Sequence, residues 1–476
     1  MELFLKILGI FYFVFALWDL EWAVMLLPLF FPAYLLRFDV FGISFPLVEV
    51  FIYAVCTAWA VRFLYERFFV KRAESRWARI LLALKGLRRQ REKRFEWQLW
   101  IPVALLVLAA VISTAIAPTS VVMMDGNTVF FGRKVALGIL KSWIVAPILM
   151  FLLFRAVLKK TSDFEKLFNF YTVSAVFLGV WALIQVATHQ YITPDARASG
   201  PFNSANYLAL YIVPALFYSF ARLKDFVMEH RQNFLARVAE SVHGKDKKRM
   251  DFLKLICFVL SFGVLMSALL FTKCYAAFFA LLVAVAIWLL LEHFSWKTFG
   301  MLFGVALSLF AFVVALDPTK WQLFFQVAIR TSSAVRVEIY QIALGLVFAN
   351  PVLGIGLGMF PAAYQLQGPA ILGHNPYEWN MLHPHNIFLA FWLNLGILGL
   401  AAFIWILFIC FKKVWGHLRA SISGHSDSIL WLRSVSFFML LLIIIHGFFD
   451  TPFFKNDLAL LFWLVVSGIL LPFGPI

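Results

Sequence analysis

Residues 98–117 read QLWIPVALLVLAAVISTAIA, and these twenty residues contain no charged side chain. An α-helix of about twenty apolar residues is long enough to cross the hydrocarbon core of a bilayer. The segment before it, residues 65–97, is strongly basic and carries Trp77, Leu81 and Leu84 at helical spacing. This arrangement predicts a membrane-spanning helix that follows a basic amphipathic segment on the cytoplasmic leaflet.

The composition of the whole chain agrees with this interpretation. Hydrophobic residues make up 63% of the 476 residues, charged residues only 14%, and the mean hydropathy is +0.87. The net charge of +16 is concentrated in short segments between apolar stretches, so it follows the positive-inside rule and does not indicate nucleic-acid binding. The four cysteines show no metal-ligand spacing, and we expect no disulfide framework. They are Cys56, Cys257, Cys274 and Cys410.

Further apolar stretches are predicted to span the membrane. They are residues 44–64, 136–157, 166–188, 204–222, 253–271, 274–292, 299–316, 386–411, 430–449 and 458–473. The first stretch, about residues 4–36, is interrupted by Asp19 and Glu21 and is either one tilted span or a hairpin. It lacks a small-residue cleavage site, so we interpret it as an anchor and not a signal peptide. If it counts once, both termini are cytoplasmic and the basic segments lie inside.

The sequence therefore predicts an all-α fold. It is a polytopic membrane helical bundle of about 12 transmembrane spans, forming a single membrane domain over residues 1–476, with a long outer-face loop containing short helices. That loop, residues 317–385, is too long for a simple connection. In it, Ser333 is predicted to cap a helix that ends at Asn350–Pro351. The apolar face of this helix is Val335, Ile339, Ile342, Ala343, Leu346 and Val347.

Two glycine patterns follow this helix. Residues 354–358, GIGLG, predict a reversal of the backbone, because no strand precedes them as a dinucleotide-binding fingerprint would require. Residues 383–386, HPHN, begin the next predicted span, and Gly396 and Gly399 lie within it. Small residues of this kind allow helices to pack closely.

Several segments together resemble bacterial O-antigen ligases and related polymerases in their order and spacing. They are DARASGPFNSANYLA at 195–209, LLFTKCYAAFFALL at 269–282, SSAVRVEIYQIALGLVFANPVLGIGLGMF at 332–360, HPHNIFLAFWLNLGILGL at 383–400 and HGFFDTPFFKNDLALLFWL at 446–464. The resemblance covers roughly residues 170–470. It implies about twelve spans in the bacterial cytoplasmic (inner) membrane, and an active site that faces outward. It also implies transfer of a glycan from an undecaprenyl-diphosphate-linked donor onto an acceptor.

The chemistry of such a donor gives three cations a candidate role. A diphosphate leaving group needs positive charge, and Arg197, Lys273 and Arg336 are all predicted on the outer face. The arginine fork of Arg197 can hold two phosphate oxygens, and Asn206 nearby is a candidate substrate-binding or supporting residue. Lys273 stands where the family usually has arginine, which keeps the charge but removes the fork. The alternatives are that these cations are interfacial anchors, and that Arg336 pairs with Glu338 on a solvated helix face.

His385 is the candidate catalytic residue. A neutral imidazole can accept the proton of an acceptor hydroxyl during its attack on the anomeric carbon. His383 is a candidate second base or supporting residue, and Asn386 is expected to orient the imidazole or to bind sugar hydroxyls. The alternative is that the histidines only cap the following helix. We also interpret His446 as a buried hydrogen-bonding residue between helices.

The sequence leaves other functions and partners open. The acidic residues of the outer segments form no paired motif, so we expect no metal and no cofactor. A single displacement of the lipid diphosphate by the acceptor hydroxyl implies inversion at the anomeric carbon. The acceptor is a glycan, a lipid or a protein, which corresponds to a ligase, a polymerase or a protein O-oligosaccharyltransferase. A lipid or solute transporter is the alternative from another class, although polar groups in this chain concentrate at the ends of the spans and no repeat is visible. Membrane lipids are the other expected partners. We expect no nucleic acid among them.

Overall fold

The computed structural model describes residues 2–40, 43–65, 90–123, 129–237, 245–292, 300, 304, 331–416, 418 and 428–471. Most of the basic amphipathic segment 65–97, almost all of the predicted span 299–316 and the first part of the loop 317–385 lie outside the described residues. The regular secondary structure of the described part is helical except for two short antiparallel hairpins. The prediction of an all-α membrane bundle is therefore confirmed in its class.

The described helices are numbered in chain order. They are α1 (Glu2–Trp18), α2 (Leu20–Leu26), α3 (Leu47–Tyr65), α4 (Gln90–Ile116), α5 (Gly132–Ile139), α6 (Ala146–Val157), α7 (Thr161–Thr188), α8 (Ala205–Arg237), α9 (Lys245–Thr272), α10 (Tyr275–Glu292), α11 (Thr331–Ala349), α12 (Phe360–Leu372), α13 (Ile387–Trp415), α14 (Ser428–Gly447) and α15 (Asn456–Ile469). A 3₁₀ helix covers Leu27–Leu35, and a π-helical turn, Leu140–Val145, joins α5 to α6. The strands are β1 (Arg37–Val40), β2 (Ile43–Pro46), β3 (Val121–Val122) and β4 (Val129–Phe130).

Seven helical segments in the described part are long and apolar enough to cross a membrane. They are Leu47–Tyr65, Gln98–Ile116, Gly132–Val157, Thr161–Thr188, Leu255–Thr272, Ile387–Trp415 and Ser428–Gly447. Each coincides with a predicted span, so the chain is a multi-pass membrane protein. Shorter apolar helices cover Leu20–Leu35, Tyr275–Leu291 and Asn456–Ile469. The predicted total of about 12 spans stays a prediction.

The first apolar stretch is not one straight helix. Helix α1 ends at Trp18, and the Asp19 side chain caps α2 by accepting a hydrogen bond from the Trp22 amide over 3.1 Å. The Tyr12 hydroxyl donates to the carbonyl oxygen of Ala23 over 2.7 Å. In a continuous helix, eleven residues would separate these positions by about 16 Å along the axis. The chain therefore turns back at Asp19, which favours the hairpin alternative.

Helix α11 has the predicted apolar face but begins earlier than predicted. All six residues of that face are buried, none more than 7% exposed. The helix starts at Thr331, so Ser333 lies inside its first turn, and the prediction that Ser333 is the N-cap is wrong. Thr331, Ser332 and Ser333 are all residue types that can cap a helix, so the sequence does not decide which of them begins it.

The described chain divides into two compact units. Unit 1 comprises Met1–Leu158, Glu338–Lys412 and Phe453–Trp463, and unit 2 comprises Lys159–Val337, Lys413–Pro452 and Leu464–Ile476. The core of unit 1 is aromatic, with the rings of Phe391 and Phe403 stacked at a centroid distance of 3.9 Å. In unit 2, Trp288 packs against Phe438 at 4.9 Å.

Candidate active site

Arg197 lies in the connection between α7 and α8, in unit 2, and its guanidinium is held at three points. Nε donates to the carbonyl oxygen of Thr272 over 2.6 Å, Nη2 donates to Oδ1 of Asn206 over 2.8 Å, and Nη1 lies 3.3 Å from Oδ2 of Asp195. The side chain remains 22% exposed. The guanidinium is therefore fixed in orientation while one edge stays accessible, as phosphate binding requires.

A buried glutamine fixes the loop that carries Arg197. The Gln185 side chain accepts hydrogen bonds from the amides of Ser199 and Gly200 over 3.2 Å and 2.9 Å, and donates to the Gly200 carbonyl over 2.7 Å. Gly200 has φ of +57°, a conformation that favours glycine. Sequence reasoning missed Gln185, although an amide near the end of an otherwise apolar span is a visible signal.

Asp195 moderates the charge of Arg197. Burial opposes ionisation of the Asp195 carboxyl, but the hydrogen bond with Thr193 and the positive charge of Arg197 outweigh it, so its pKa lies below the ordinary value. Asp195 is therefore ionised at neutral pH. Its side chain is 52% exposed, which places the carboxylate at the solvent edge of the arginine.

Lys273 and Arg336 belong to unit 2, as Arg197 does, and both lie near Cys274. Lys273 follows Thr272, whose carbonyl binds Arg197, and it precedes Cys274. Arg197 and Arg336 both lie close enough to Cys274 to act on its thiol electrostatically. Arg197 and Arg336 are thus within electrostatic range of the same thiol, and Lys273 is the residue next to it in the chain. Lys273 is exposed and Arg336 is half-buried.

Two further polar residues complete this part of unit 2. His446 is only 2% exposed, and its Nε2 lies 3.7 Å from Sγ of Cys274, which agrees with the predicted buried residue that bonds between helices. Asp450, which is 2% exposed, also acts electrostatically on Cys274. The cation cluster, which consists of Arg197, Lys273 and Arg336, therefore has an acidic neighbour that limits its net charge.

The histidine pair lies in unit 1, immediately before α13. The rings of His383 and His385 are 4.4 Å apart between centroids, at an interplanar angle of 70°, and both side chains are half-buried. The hydroxyl of Tyr340 donates to the carbonyl oxygen of His385 over 3.0 Å. This bond holds the backbone of His385, and no motif in the sequence pointed to Tyr340.

Asn386 is the N-cap of α13. Its Oδ1 accepts hydrogen bonds from the amides of Phe388 and Leu389 over 2.9 Å and 3.1 Å, and its carbonyl accepts from Ala390. Capping of the helix is thus performed by the asparagine and not by the histidines. A role of Asn386 toward substrate stays a prediction.

Gly396 makes a kink inside α13. Its φ of +66° and ψ of −173° are accessible almost only to glycine. The amide of Ile397 donates to the carbonyl of Val352 over 3.1 Å, and the amide of Ile355 donates to the carbonyl of Leu393 over 2.8 Å. The kink therefore exposes backbone groups of α13 that bind the GIGLG turn, in which all three glycines have positive φ. The predicted reversal at residues 354–358 is confirmed.

Asn394 strengthens the same junction. Its Oδ1 accepts from the amide of Gly358 over 2.7 Å, its Nδ2 donates to the carbonyl of Ala390 over 2.8 Å, and its own carbonyl accepts from the Ser113 hydroxyl. Asn394 is 7% exposed. Its side chain thus holds the turn to the helix that begins at the histidine pair.

Strained backbone marks the candidate residues. Among the described residues, four that are not glycine have positive φ, and these are His189, Ala196, Lys273 and His385. Two of them are predicted site residues, and a third precedes Arg197. Such conformations cost energy and occur preferentially at functional sites. His189 and Lys273 directly follow α7 and α9, where a left-handed residue commonly ends a helix, so the strain is independent of a helix end only at Ala196 and His385.

A comparison with known protein families finds a match over part of the chain. Residues 256–404 match the sequence model of the family described as O-antigen ligase. These residues, here called the O-antigen ligase segment, make up less than half of the chain. The O-antigen ligase segment contains Lys273, Arg336, His383, His385 and Asn386, and the family resemblance predicted from the sequence is confirmed. Arg197 and Asn206 precede the matched residues. No curated protein matches the chain.

Proposed function

We propose that the chain is an inverting, metal-independent membrane glycosyltransferase. It transfers a glycan from an undecaprenyl-diphosphate-linked donor to an acceptor hydroxyl at the outer face of the cytoplasmic membrane. The observation that carries this proposal is the O-antigen ligase segment, because the candidate base and two of the three candidate cations lie inside it.

The cation cluster binds the donor diphosphate in this proposal. When the bond between the anomeric carbon and the diphosphate oxygen breaks, the electron pair leaves with the diphosphate, so negative charge grows on its oxygens. Arg197 meets this charge with a guanidinium already oriented by Thr272 and Asn206. Because these contacts hold the guanidinium in one orientation, little reorganisation is needed during the reaction.

Lys273 and Arg336 add charge to the same group. Lys273 is exposed at the turn between α9 and α10, so its ammonium supplies a mobile point charge. Arg336 stands at the beginning of α11 and acts on Cys274 together with Arg197. Asp195 and Asp450 keep the cluster from binding every anion with high affinity, because they neutralise part of its charge.

His385 is the general base of the proposed reaction. The acceptor oxygen attacks the anomeric carbon, and its proton passes to the neutral imidazole of His385. The left-handed backbone of His385 and its bond with Tyr340 fix the direction in which the ring leaves the chain. His383, whose ring is 4.4 Å away, supports the orientation of that imidazole.

A transfer assay with purified full-length protein in lipid nanodiscs tests the function. The protein receives lipid-linked glycan and, in separate reactions, a lipid-anchored saccharide, more lipid-linked glycan or a serine-containing peptide. Mass measurement of the products distinguishes a ligase, a polymerase and a protein oligosaccharyltransferase. We expect a new glycosidic bond with one of them and release of the free lipid diphosphate. Movement of the donor between leaflets with no new glycosidic bond for any acceptor would overturn the proposal in favour of a transporter.

A further inference from the structure

A cavity of about 650 Å³ lies in unit 1, at residues to which the proposed function assigns no role. It is bounded by the β1–β2 hairpin, by α5 with the π-helical turn, and by the start of α15. The residues that line it combine cations with an apolar wall. They are Arg37, Ile43, Ser44, Pro46, Lys134, Val135, Leu137, Gly138, Ile139, Lys141, Ser142, Trp143 and Asn456.

The floor of the cavity contains a buried ion pair. Nζ of Lys141 lies 2.9 Å from Oε2 of Glu49, a carboxylate that is only 1% exposed. Asn456 donates from Nδ2 to Oε1 of Glu49 over 3.1 Å and accepts at Oδ1 from the indole of Trp143 over 3.0 Å. Ionisable groups inside a spanning segment are costly, and their presence usually marks a functional site.

A local change of helix geometry places Lys141 in this position. The segment Gly132–Val157 is long enough to span the membrane, yet residues Leu140–Val145 form a π-helical turn within it. Such turns insert one residue into a helix and occur frequently at functional sites. Lys141 also donates to the carbonyl of Ser44 over 2.7 Å and lies 4.1 Å from the centroid of the Phe45 ring. The turn therefore ties α5 to the β1–β2 hairpin.

Two other cations at the cavity have no such acidic partner among the described residues. Arg37 donates through Nε to the carbonyl of Tyr34 over 3.3 Å, a bond that leaves its charge uncompensated. Lys134 stands in the first turn of α5 and is exposed. None of the described residues that line the cavity is acidic. The charge of Lys141 is balanced by Glu49, so Arg37 and Lys134 give the cavity a net positive charge.

The remaining wall is apolar and open. Ile43 and Leu137 line the cavity and are each 54% exposed. Ile43 belongs to the strand that precedes the spanning segment Leu47–Tyr65, and Leu137 lies within the spanning segment Gly132–Val157, so both exposed side chains are suited to contact with lipid. A ligand that satisfies the cavity must therefore carry negative charge at one end and hydrocarbon at the other. This excludes a free sugar and a simple inorganic anion as the best fit.

We propose that this cavity binds the phosphate headgroup of a membrane lipid. Arg37 and Lys134 contact the phosphate oxygens, Ser44 and Trp143 border the glycerol or sugar part, and the acyl chains follow Ile43 and Leu137. The Glu49–Lys141 pair keeps the floor of the cavity polar without adding net charge. This lipid site is separate from the residues proposed for transfer, and lipid binding there does not depend on the proposed function.

Lipid titration monitored by native mass spectrometry tests this site. Full-length protein in detergent is titrated with phosphatidylglycerol and with phosphatidylcholine, and the first titration is repeated in excess sodium phosphate. We expect tighter binding of phosphatidylglycerol, because the choline ammonium opposes the two cations. Arg37→Gln combined with Lys134→Gln should weaken phosphatidylglycerol binding by roughly 30-fold, as expected for two cation–phosphate contacts at a membrane surface. Lys159→Gln combined with Lys160→Gln removes the same charge elsewhere and should leave binding unchanged.

A cavity-filling variant gives a second test that keeps every charge. A side chain added at Gly138 would meet no other heavy atom within 4 Å of its Cβ, so Gly138→Phe extends into the cavity without a backbone clash. Gly263 in α9 has the same free space, and Gly263→Phe is its matched control. We expect loss of phosphatidylglycerol binding only for Gly138→Phe.

Two results would overturn the proposal. Equal phosphatidylglycerol binding by Gly138→Phe, by the Arg37 and Lys134 variant and by the unmodified protein would show that the cavity is not the site. Complete displacement of the lipid by sodium phosphate would show that the cavity binds a free anion and that the apolar wall is irrelevant. Neither result bears on glycan transfer, which the nanodisc assay measures separately.

Discussion

The backbone amide of Ile397 donates a hydrogen bond to the carbonyl oxygen of Val352 over 3.1 Å. This bond exists because Gly396 departs from helical geometry and turns the following amide out of α13. The bonded partner belongs to the segment that leads into the GIGLG turn. The position of Gly396 after the histidine pair thus has a structural explanation: at this residue α13 kinks, and its backbone binds the loop.

Gly396→Ala should destabilise the protein. A Cβ at residue 396 would collide with the carbonyl oxygen of Val352, and alanine strongly disfavours a φ of +66°. We expect a loss of at least about 2 kcal/mol in the free energy of unfolding, measured as a lower Tm in detergent. Gly263→Ala is the control, because its Cβ meets nothing within 4 Å, and it should leave Tm unchanged or raise it slightly. An unchanged Tm for Gly396→Ala would contradict the kink.

Arg197→Lys should both weaken donor binding and slow the chemical step, because the diphosphate is already charged when it binds and gains further charge as the bond breaks. Lysine keeps the charge but cannot bond simultaneously to Thr272 and Asn206 while presenting a fork to phosphate. We expect the KM for the lipid-linked donor to rise roughly tenfold, the effect of one charge-assisted hydrogen bond. Asp195→Asn should act in the opposite direction, because it removes negative charge from the guanidinium. Identical shifts for both variants would contradict the role of Arg197 in binding an anion.

The Glu49–Lys141 pair should behave as a coupled unit. Lys141→Met leaves the carboxylate of Glu49, 1% exposed, without its cation, and removal of one partner of a buried pair costs about 3 kcal/mol or more. Adding Glu49→Gln should recover most of that loss, because the amide oxygen can still accept from Asn456. The measurement is a double-mutant cycle on thermal unfolding in detergent. Additive effects of the two changes would contradict the coupling.

Glycan transfer should be insensitive to chelators. In the proposal the charge of the diphosphate is neutralised by Arg197, Lys273 and Arg336, so a divalent ion has no required task. We expect the rate of transfer to stay within about twofold after treatment with EDTA, a change small compared with the effect of losing a catalytic metal. Loss of activity that returns when Mg²⁺ or Mn²⁺ is added would contradict a metal-independent reaction.

Much of the fold follows from the sequence because long apolar stretches have one favourable arrangement in a bilayer. The apolar face of α11 was predictable from its periodicity, since helical spacing leaves no choice of buried side. The hairpin at Asp19 does not follow from the sequence, because an acidic residue in an apolar stretch is compatible with a tilted helix or with a helix cap. That Asp19 caps a helix at a reversal of the chain depends on tertiary contacts such as that of Tyr12 with Ala23.

The candidate site residues can be proposed from the sequence, but the contacts that hold them in place cannot. Arg197 and His385 stand out as charged or titratable groups beside spans, and the resemblance identified their motifs. The contacts that hold them, from Gln185 and Tyr340, involve side chains that are distant in sequence and common in helices. The sequence also does not reveal that Asn386 caps the helix, because an asparagine at this position could equally cap the helix or bind substrate. Local geometry alone distinguishes them.

The most direct test of the central claim is chemical rescue at His385. Glycine accepts the φ of +48° at this position, so His385→Gly removes the imidazole and keeps the backbone. In the nanodisc assay we predict a fall in the transfer rate of roughly 10²- to 10⁴-fold with unchanged donor binding, and partial recovery when free imidazole is added. His374→Gly, at an exposed histidine outside the pair, should transfer at the normal rate. A His385→Gly protein that transfers glycan as fast as the unmodified enzyme would contradict the account.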